Sequence, residues 1–285
     1  VAGSVLSVSG LRKCYGDIVA VDSIDFEIES GEIFALLGPN GAGKTTCVEI
    51  LEGYRSRDGG EVSVLGHDPA SGGRDGVNWR DRVGMVLQDS SDGLDLSVEE
   101  TVKHFTSYYS KPRDVDELIE AVGLTEKRRA RVHKLSGGQR RRLDVALSLA
   151  GSPELLFLDE PTTGFDPEAR RAFWDLIQSL RTSGTTVLLT THYLDEAEAL
   201  ADRVGVIARG KLLEIAPPAT LGGREHAKAT VSWRDKFGGL KVEITENPSD
   251  LLRVLLAKHE GDVPALSVKR PTLEDIYLQM IGETP

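Results

Sequence analysis

Nine consecutive residues, Gly38-Pro39-Asn40-Gly41-Ala42-Gly43-Lys44-Thr45-Thr46, fit Gly-x-x-x-x-Gly-Lys-[Ser/Thr], the phosphate-binding P-loop. The chemistry is that of an anion cradle. Glycines let successive backbone N–H groups turn inward around a phosphate, and a following helix adds the partial positive charge of its N-terminus. Lys44 then reaches the β- and γ-phosphates, and the Thr45 hydroxyl can ligate Mg²⁺. Three further groups could act on a bound nucleoside triphosphate. Asp159-Glu160 follows the apolar run Leu155-Leu156-Phe157-Leu158. Adjacent strand residues point opposite ways, so one carboxylate can hold Mg²⁺ while the other activates water. His192 closes the strand-like run 186–191, where a phosphate contact is expected. Leu135-Ser136-Gly137-Gly138-Gln139 sets two glycines at the first positions of a helix. Glycine is a poor helix former, so a purely structural cap does not favour it; a helix start stripped of side chains suits close backbone approach to a phosphate.

These groups need elements to hold them. The run 33–37 is a short buried strand ahead of the P-loop, and Val48, Ile50 and Leu51 are spaced for a helix packed on it. Leu155–Leu158 is continuous in apolar character, as in a strand covered on both faces of a parallel sheet, whose carboxyl end is where ligands bind. Residues 5–8, 18–21 and 24–28 read as antiparallel strands separated by Gly16-Asp17 and Asp22-Ser23. Tyr15, in the first of those turns, either stacks on a purine base or half-covers the sheet. Gly59-Gly60 reads as a turn before a strand at 61–65, 71–76 as a loop, and 83–88 as a buried strand ending in Gln88. From 97 to 124 the pattern is helical, with a Ser97/Glu100 capping box. Phe105, Tyr108 and Tyr109 read there as core rather than as a binding groove. The basic run 127–134 reads as a solvated helix face, with His133 on the surface. Ser136 and Gln139 also have capping-box spacing, and Leu143, Ala146, Leu147 and Ala150 form the apolar stripe of that helix. A helix at 193–201 precedes strands at 203–207 and 212–215, joined by an Arg209-Gly210 hairpin. Pro217-Pro218 marks a boundary, beyond which a β-β-α-β-α pattern carries no catalytic constellation.

With 285 residues, 40% hydrophobic and 28% charged, the chain has an ordinary globular profile that excludes wholesale disorder. A net charge of −11 argues against nucleic acid as a partner. Cys14 and Cys47 make no metal spacing and read as reduced thiols of a cytosolic protein. No apolar run approaches the roughly eighteen residues of a membrane span, and Val-Ala-Gly-Ser at the start has no signal-peptide character. A membrane role therefore calls for a separate partner.

The P-loop, the Leu-Ser-Gly-Gly-Gln stretch, the Leu155–Glu160 run and His192, in that order and spacing, resemble the nucleotide-binding subunit of ATP-binding cassette (ABC) transporters over roughly residues 5–217. The resemblance implies an α/β fold: a P-loop NTPase core with an antiparallel β subdomain and a helical signature subdomain at about 90–150. The ATP-binding domain is expected over 1–217 and a small α+β accessory domain over 218–285. It gives Tyr15 the adenine-stacking role. Residues 38–46 bind phosphate, and Thr45, Gln88 and Asp159 serve Mg²⁺. Glu160 becomes the general base, Gln88 the sensor of Mg²⁺ and attacking water, and His192 the γ-phosphate contact. Asp166, within Thr163-Gly164-Phe165-Asp166-Pro167, matches a loop that crosses a dimer interface; the family more often has Ser-Gly-Leu-Asp there, a change conservative in shape. Ser136, Gly138 and Gln139 act, in this family's geometry, on ATP held by a second copy.

The ending Arg270-Pro271-Thr272-Leu273-Glu274-Asp275-Ile276-Tyr277 resembles ATPases that drive ABC-2-type exporters, including the daunorubicin-resistance group. The expectation is an exporter ATPase using ATP and Mg²⁺, paired with a separate transmembrane permease and with itself, on the cytoplasmic face of the cell membrane. Drug or lipid-like cargo is implied, with multidrug or antibiotic resistance as the outcome. The rivals are an import ATPase, differing mainly in the tail, and a soluble cassette ATPase of translation or DNA repair. Such translation factors usually carry two cassettes, and the repair relatives insert long coiled coils before the signature. Here Lys44 and Ser136 are 92 residues apart (136 − 44) across an ordinary helical segment.

Overall fold

The computed structural model describes residues 3–71, 74–86, 95–182, 184–235, 237–258 and 262–282. The chain divides into two compact units, Val1–Ile215 and Ala216–Pro285.

The first unit begins with β1 (Ser4–Tyr15) and β2 (Ile18–Glu29), an antiparallel pair. The expected break at Asp22-Ser23 is absent. β2 runs through it by shifting register between Leu11↔Ile24 and Lys13↔Val21, with Ser23 at φ +54° absorbing the irregularity as a bulge. β3 (Ile33–Leu37) is buried throughout and leads through the P-loop into α1 (Lys44–Leu51). β4 (Gly59–Val64) includes the two glycines expected to form a turn, and pairs with β1 to complete a β2-β1-β4 sheet. Gly60 is glycine for a steric reason: φ is +84°, and a Cβ there would lie 2.4 Å from Gly10 O. α2 (Arg74–Arg80) begins inside the stretch expected to be a loop. β5 (Val83–Val86) follows. Gln88 lies outside the described residues.

The expected helical stretch 97–124 is two helices, α3 (Val98–Thr106) and α4 (Val115–Ala121), because Ser107 ends the first and Asp114 caps the second. The Ser97/Glu100 capping box is present in both directions. Phe105 and Tyr108 are not core: they are 38% and 67% exposed. Nor is 127–134 a solvated helix face. It forms short 3₁₀ turns whose cations meet the acids of α3, α4 and Asp95: Arg128 bonds Glu99 at 2.9 Å and also Asp116, Arg131 bonds Glu100 at 3.3 Å, and exposed His133 lies 3.3 Å from Asp95.

α5 (Gly137–Ser148) leads into β6 (Leu155–Asp159), then α6 (Pro167–Thr182), β7 (Thr186–Thr191), α7 (Leu194–Leu200), β8 (Arg203–Ala208) and β9 (Lys211–Ala216). The central sheet has the order β5-β6-β7-β3-β8-β9, parallel from β5 through β8; β3, β6 and β7 are buried throughout, whereas edge strand β9 is only half-buried. Arg209 and Gly210, both at positive φ, turn the chain back into β9. The two sheets and α1 share one apolar core containing Leu6, Ile28, Phe34, Leu51, Phe157 and Leu188, with Phe26 and Phe34 stacked at 5.4 Å. Cys14 and Cys47 are free thiols.

In the second unit, β10 (Ala229–Arg234) and β11 (Leu240–Thr245) form a hairpin, α8 (Pro248–Lys258) follows, β12 (Ser267–Lys269) pairs with the other edge of β10, and α9 (Leu273–Gly282) ends the described chain. Thr272 and Asp275 cap α9 reciprocally, at 2.8 and 3.1 Å.

Phe157 is fully buried between the layers of the first unit. Phe157→Ala should therefore cost about 3–5 kcal/mol in chemical denaturation; a loss under about 1 kcal/mol would contradict this packing.

Candidate active site

The P-loop is shaped by what presses on it. A Cβ on Gly43, at φ +103°, would lie 2.3 Å from Ala20 O of β2, and one on Gly38 would lie 2.3 Å from Ile207 O of β8. The loop is tied down by Gly210 N–H donating to Ala42 O at 3.0 Å and Gly38 N–H to Thr191 O at 3.3 Å. Pro39, Asn40, Gly41 and Thr45 are exposed, and Thr46 is half-buried. Gly43, the N-cap of α1, supplies no side-chain acceptor, so the first N–H groups of that helix are left for an incoming anion.

Lys44 is almost fully buried. Its ammonium donates to Gly38 O at 2.8 Å and Pro39 O at 3.2 Å, and lies 3.2 Å from the Glu160 carboxylate. Glu160 also meets His192: Nδ1 is 3.2 Å from Oε2, a contact of charge and proximity rather than an aligned hydrogen bond. Burial pulls the Glu160 carboxyl upward, but the charge and hydrogen bond of Lys44, then the nearby His192, outweigh it and hold the pKa below the ordinary glutamate value. Glu160 sits at φ +42°, a left-handed conformation that costs a non-glycine residue energy. Thr190 helps to fix it: its hydroxyl accepts from Glu160 N–H at 3.0 Å and donates to Asp159 Oδ1.

The strands thus bring Gly38, Pro39, Lys44, Asp159, Glu160 and His192 to the carboxyl end of the sheet. Other expected site residues lie elsewhere or are used differently. Tyr15 is 39% exposed with Arg55 and Lys13 over its ring at 5.3 and 5.6 Å. Ser136 and Gln139 form a capping box, at 3.3 and 3.1 Å, and among the described residues neither hydrogen-bonds to the P-loop. A Cβ on Gly137 would meet nothing within 4 Å, and one on Gly138 would lie 3.2 Å from Ala169 Cβ. Asp166 caps α6 through Ala169 N–H at 2.8 Å.

Sequence reasoning missed three supporting residues. Arg141 is buried and donates to Asp159 O at 2.8 Å and Pro161 O at 3.2 Å, tying the signature helix to the end of β6. The available signal was a cation at a core-facing position of α5, four residues before buried Val145. Glu196, fully buried with its pKa raised by burial, accepts from Thr162 at 2.8 Å and Trp174 at 3.3 Å. Glu52, at the end of α1, has its carboxyl pushed up to about 8, by burial first and then by Asp159 and Glu49.

A profile of the ABC transporter family matches residues 21–163. Daunorubicin resistance ATP-binding protein DrrA3 of Streptomyces coeruleorubidus is 34% identical, covering 99% of this chain and 97% of its own. The chain belongs to the ABC transporter ATP-binding cassette family. This cassette is also 43% identical to Nod factor export ATP-binding protein I of Ralstonia nicotianae, over 98% of this chain and 94% of that protein. The structure of cbiO1 from Clostridium perfringens, part of the ABC transporter complex cbiONQ, superposes with a TM-score of 0.69 at 28% identity, over 76% of this chain and 89% of its own. The fold is that of P-loop NTPases, with a mixed β-sheet core and a helical subdomain. ABC ATPase subunits bind and hydrolyse ATP with Mg²⁺, and typically dimerise and pair with a permease. One expectation is corrected. Among the described residues no helix is long and apolar enough to cross a membrane. The expected place on the cytoplasmic face of the membrane has no support from such a helix.

Glu52 carries a pH signature. A carboxyl raised from 4.5 to about 8 on folding contributes stability that is complete below 4.5 and lost as pH rises through about 8. Glu52→Gln removes that loss. Its melting temperature should match wild type near pH 5 and exceed it near pH 8, measured by thermal unfolding of the nucleotide-free chain; parallel curves would contradict the assignment.

Proposed function

We propose that this chain is the ATP-hydrolysing subunit of an ABC exporter, working as a homodimer with a separate permease on drug or lipid-like cargo. The observation that carries the reading is the convergence of Lys44, Glu160 and His192 at the mouth of a glycine-lined, uncapped helix start. The names of both near-full-length relatives speak of resistance or export.

The residues present fit ATP and Mg²⁺. Gly41 is exposed, with nothing within 4 Å of where its Cβ would lie, and α1 starts without a side-chain cap, so its first N–H groups are open to an anion. Residues 38–46 would hold the phosphates, Tyr15 would stack on adenine, and Thr45, Asp159 and Gln88 would hold Mg²⁺, which supplies charge neutralisation for the leaving phosphates. Lys44, paired with Glu160 at 3.2 Å, is the cation that phosphate oxygens would claim. Glu160, released from that pair and already ionised at neutral pH, then accepts the proton of the attacking water. His192 stays within reach of Glu160 and of the γ-phosphate. Positioning and charge, rather than a covalent intermediate, supply the rate. Ser136, Gly138, Gln139 and Asp166 would complete the site of a second copy. In this reading residues 1–217 are the cassette, with helical subdomain near 90–150, and 218–285 an accessory domain.

Glu160→Gln should keep ATP binding while turnover falls by roughly 10²–10⁴-fold. Equilibrium nucleotide binding and phosphate release would be measured side by side; near wild-type turnover would remove Glu160 from the role of base.

A further inference from the structure

The sheet of the C-terminal unit has an open edge. Its order is β11-β10-β12, so β11 bonds to β10 on one side and, among the described residues, to no strand on the other. The ladder's phase decides which backbone groups face outward. β10 and β11 are in unbroken antiparallel register, with Trp233 opposite Lys241 and Ser232 opposite Val242. At the hairpin end Asp235 N–H donates to Gly239 O at 2.8 Å. Bonded and non-bonded pairs alternate along an antiparallel ladder. Lys241, Glu243 and Thr245 therefore bond inward, and Leu240, Val242 and Ile244 turn their N–H and C=O groups to the open edge. Arg234 N–H, which donates away from β11 to Pro264 O at 2.8 Å, has the phase this requires.

The same three residues are apolar and exposed, at 64%, 59% and 66%. Their side chains share the face opposite the one on which Val231 packs with Leu255 and Val263. An edge with free backbone groups and an exposed apolar row is a template for another strand.

The strand's own sequence says which strand that is. Leu240-Lys241-Val242-Glu243-Ile244 is self-complementary when laid antiparallel on a copy of itself. With Val242 opposite Val242, Leu240 faces Ile244 of the second copy and Lys241 faces Glu243 of the second copy, and the twofold axis repeats both pairs. Sliding by two residues in either direction sets Lys241 against Lys241 or Glu243 against Glu243, and directly opposed like charges are unfavourable. Lys241 makes one long ion pair within its own chain, 3.8 Å to Asp235, and at 57% exposed its ammonium can also reach a carboxylate across the edge.

We propose that β11 is a homotypic edge, through which two copies of this chain join by antiparallel pairing centred on Val242 into one continuous sheet. The contact uses the C-terminal unit alone and forms without nucleotide, so it is independent of the ATP site.

The full-length chain, free of nucleotide, would be examined by analytical ultracentrifugation. Wild type should sediment as a dimer. Lys241→Glu and Glu243→Lys should each weaken the dimer by roughly tenfold or more, since each creates two like-charge pairs. The double variant, which restores opposite charges, should return to wild-type association. Val242→Cys should form a disulfide-linked dimer on mild oxidation, because a bonded antiparallel pair holds Cα atoms about 5.5 Å apart, within disulfide reach. The unmodified chain, which keeps Cys14 and Cys47, should not. A nucleotide-free monomer, single swaps without effect, a double swap that fails to restore association, or an uncrosslinked Val242→Cys would overturn the proposal. ATP-dependent association persisting through those failures would leave the ATP-site reading intact.

Discussion

The Lys44 ammonium sits between two carbonyls of its own loop and the carboxylate of Glu160. Both charges are largely out of water, where an unpaired ion is costly, so each stabilises the other. The contact exists because β3 and β6 run parallel with β7 between them, which sets the P-loop and the Asp159-Glu160 pair at the same end of the sheet. Thr190, on the intervening strand, bonds to both acidic residues and holds the strained Glu160 backbone in place. The ion pair therefore reports that the sheet is assembled correctly. A phosphate group entering the loop would exchange one partner of Lys44 for another and free the carboxylate for proton transfer.

Much of this was legible beforehand for physical reasons. A strand buried on both faces must be largely apolar, so β3, β6 and the middle of β7 announced themselves, and each leads into residues of the site. The P-loop glycines were legible because contact with Ala20 O and Ile207 O leaves no room for a Cβ. What stayed hidden depended on long-range pairing. Nothing local says that β2 crosses Asp22-Ser23 by a bulge, since the register is set by its partner β1. Phe105 and Tyr108 have helical spacing but face solvent. Arg141 stands among three consecutive arginines, and the carbonyls that set it apart lie 18 and 20 residues further along the chain.

The signature stretch shows why such a site is read as half of a larger one. Its hydroxyl and amide satisfy each other in a capping box, and its glycines leave the helix start uncovered. Such a surface is complete as folded structure and still open to an anion. Arg141 joins this helix to the end of the carboxylate strand through the Asp159 and Pro161 carbonyls. In the proposed dimer the charge clamp and the signature face of one copy would serve two different nucleotides.

The most direct test of that claim is mixed-dimer complementation. A Lys44→Ala chain and a Gly138→Asp chain, each inactive alone, would be mixed and assayed for ATP turnover. Half of the dimers then hold one site with an intact P-loop from one copy and an intact signature from the other, so activity should recover to about a quarter of wild type. A mixture as inactive as its components would contradict a site shared between two copies.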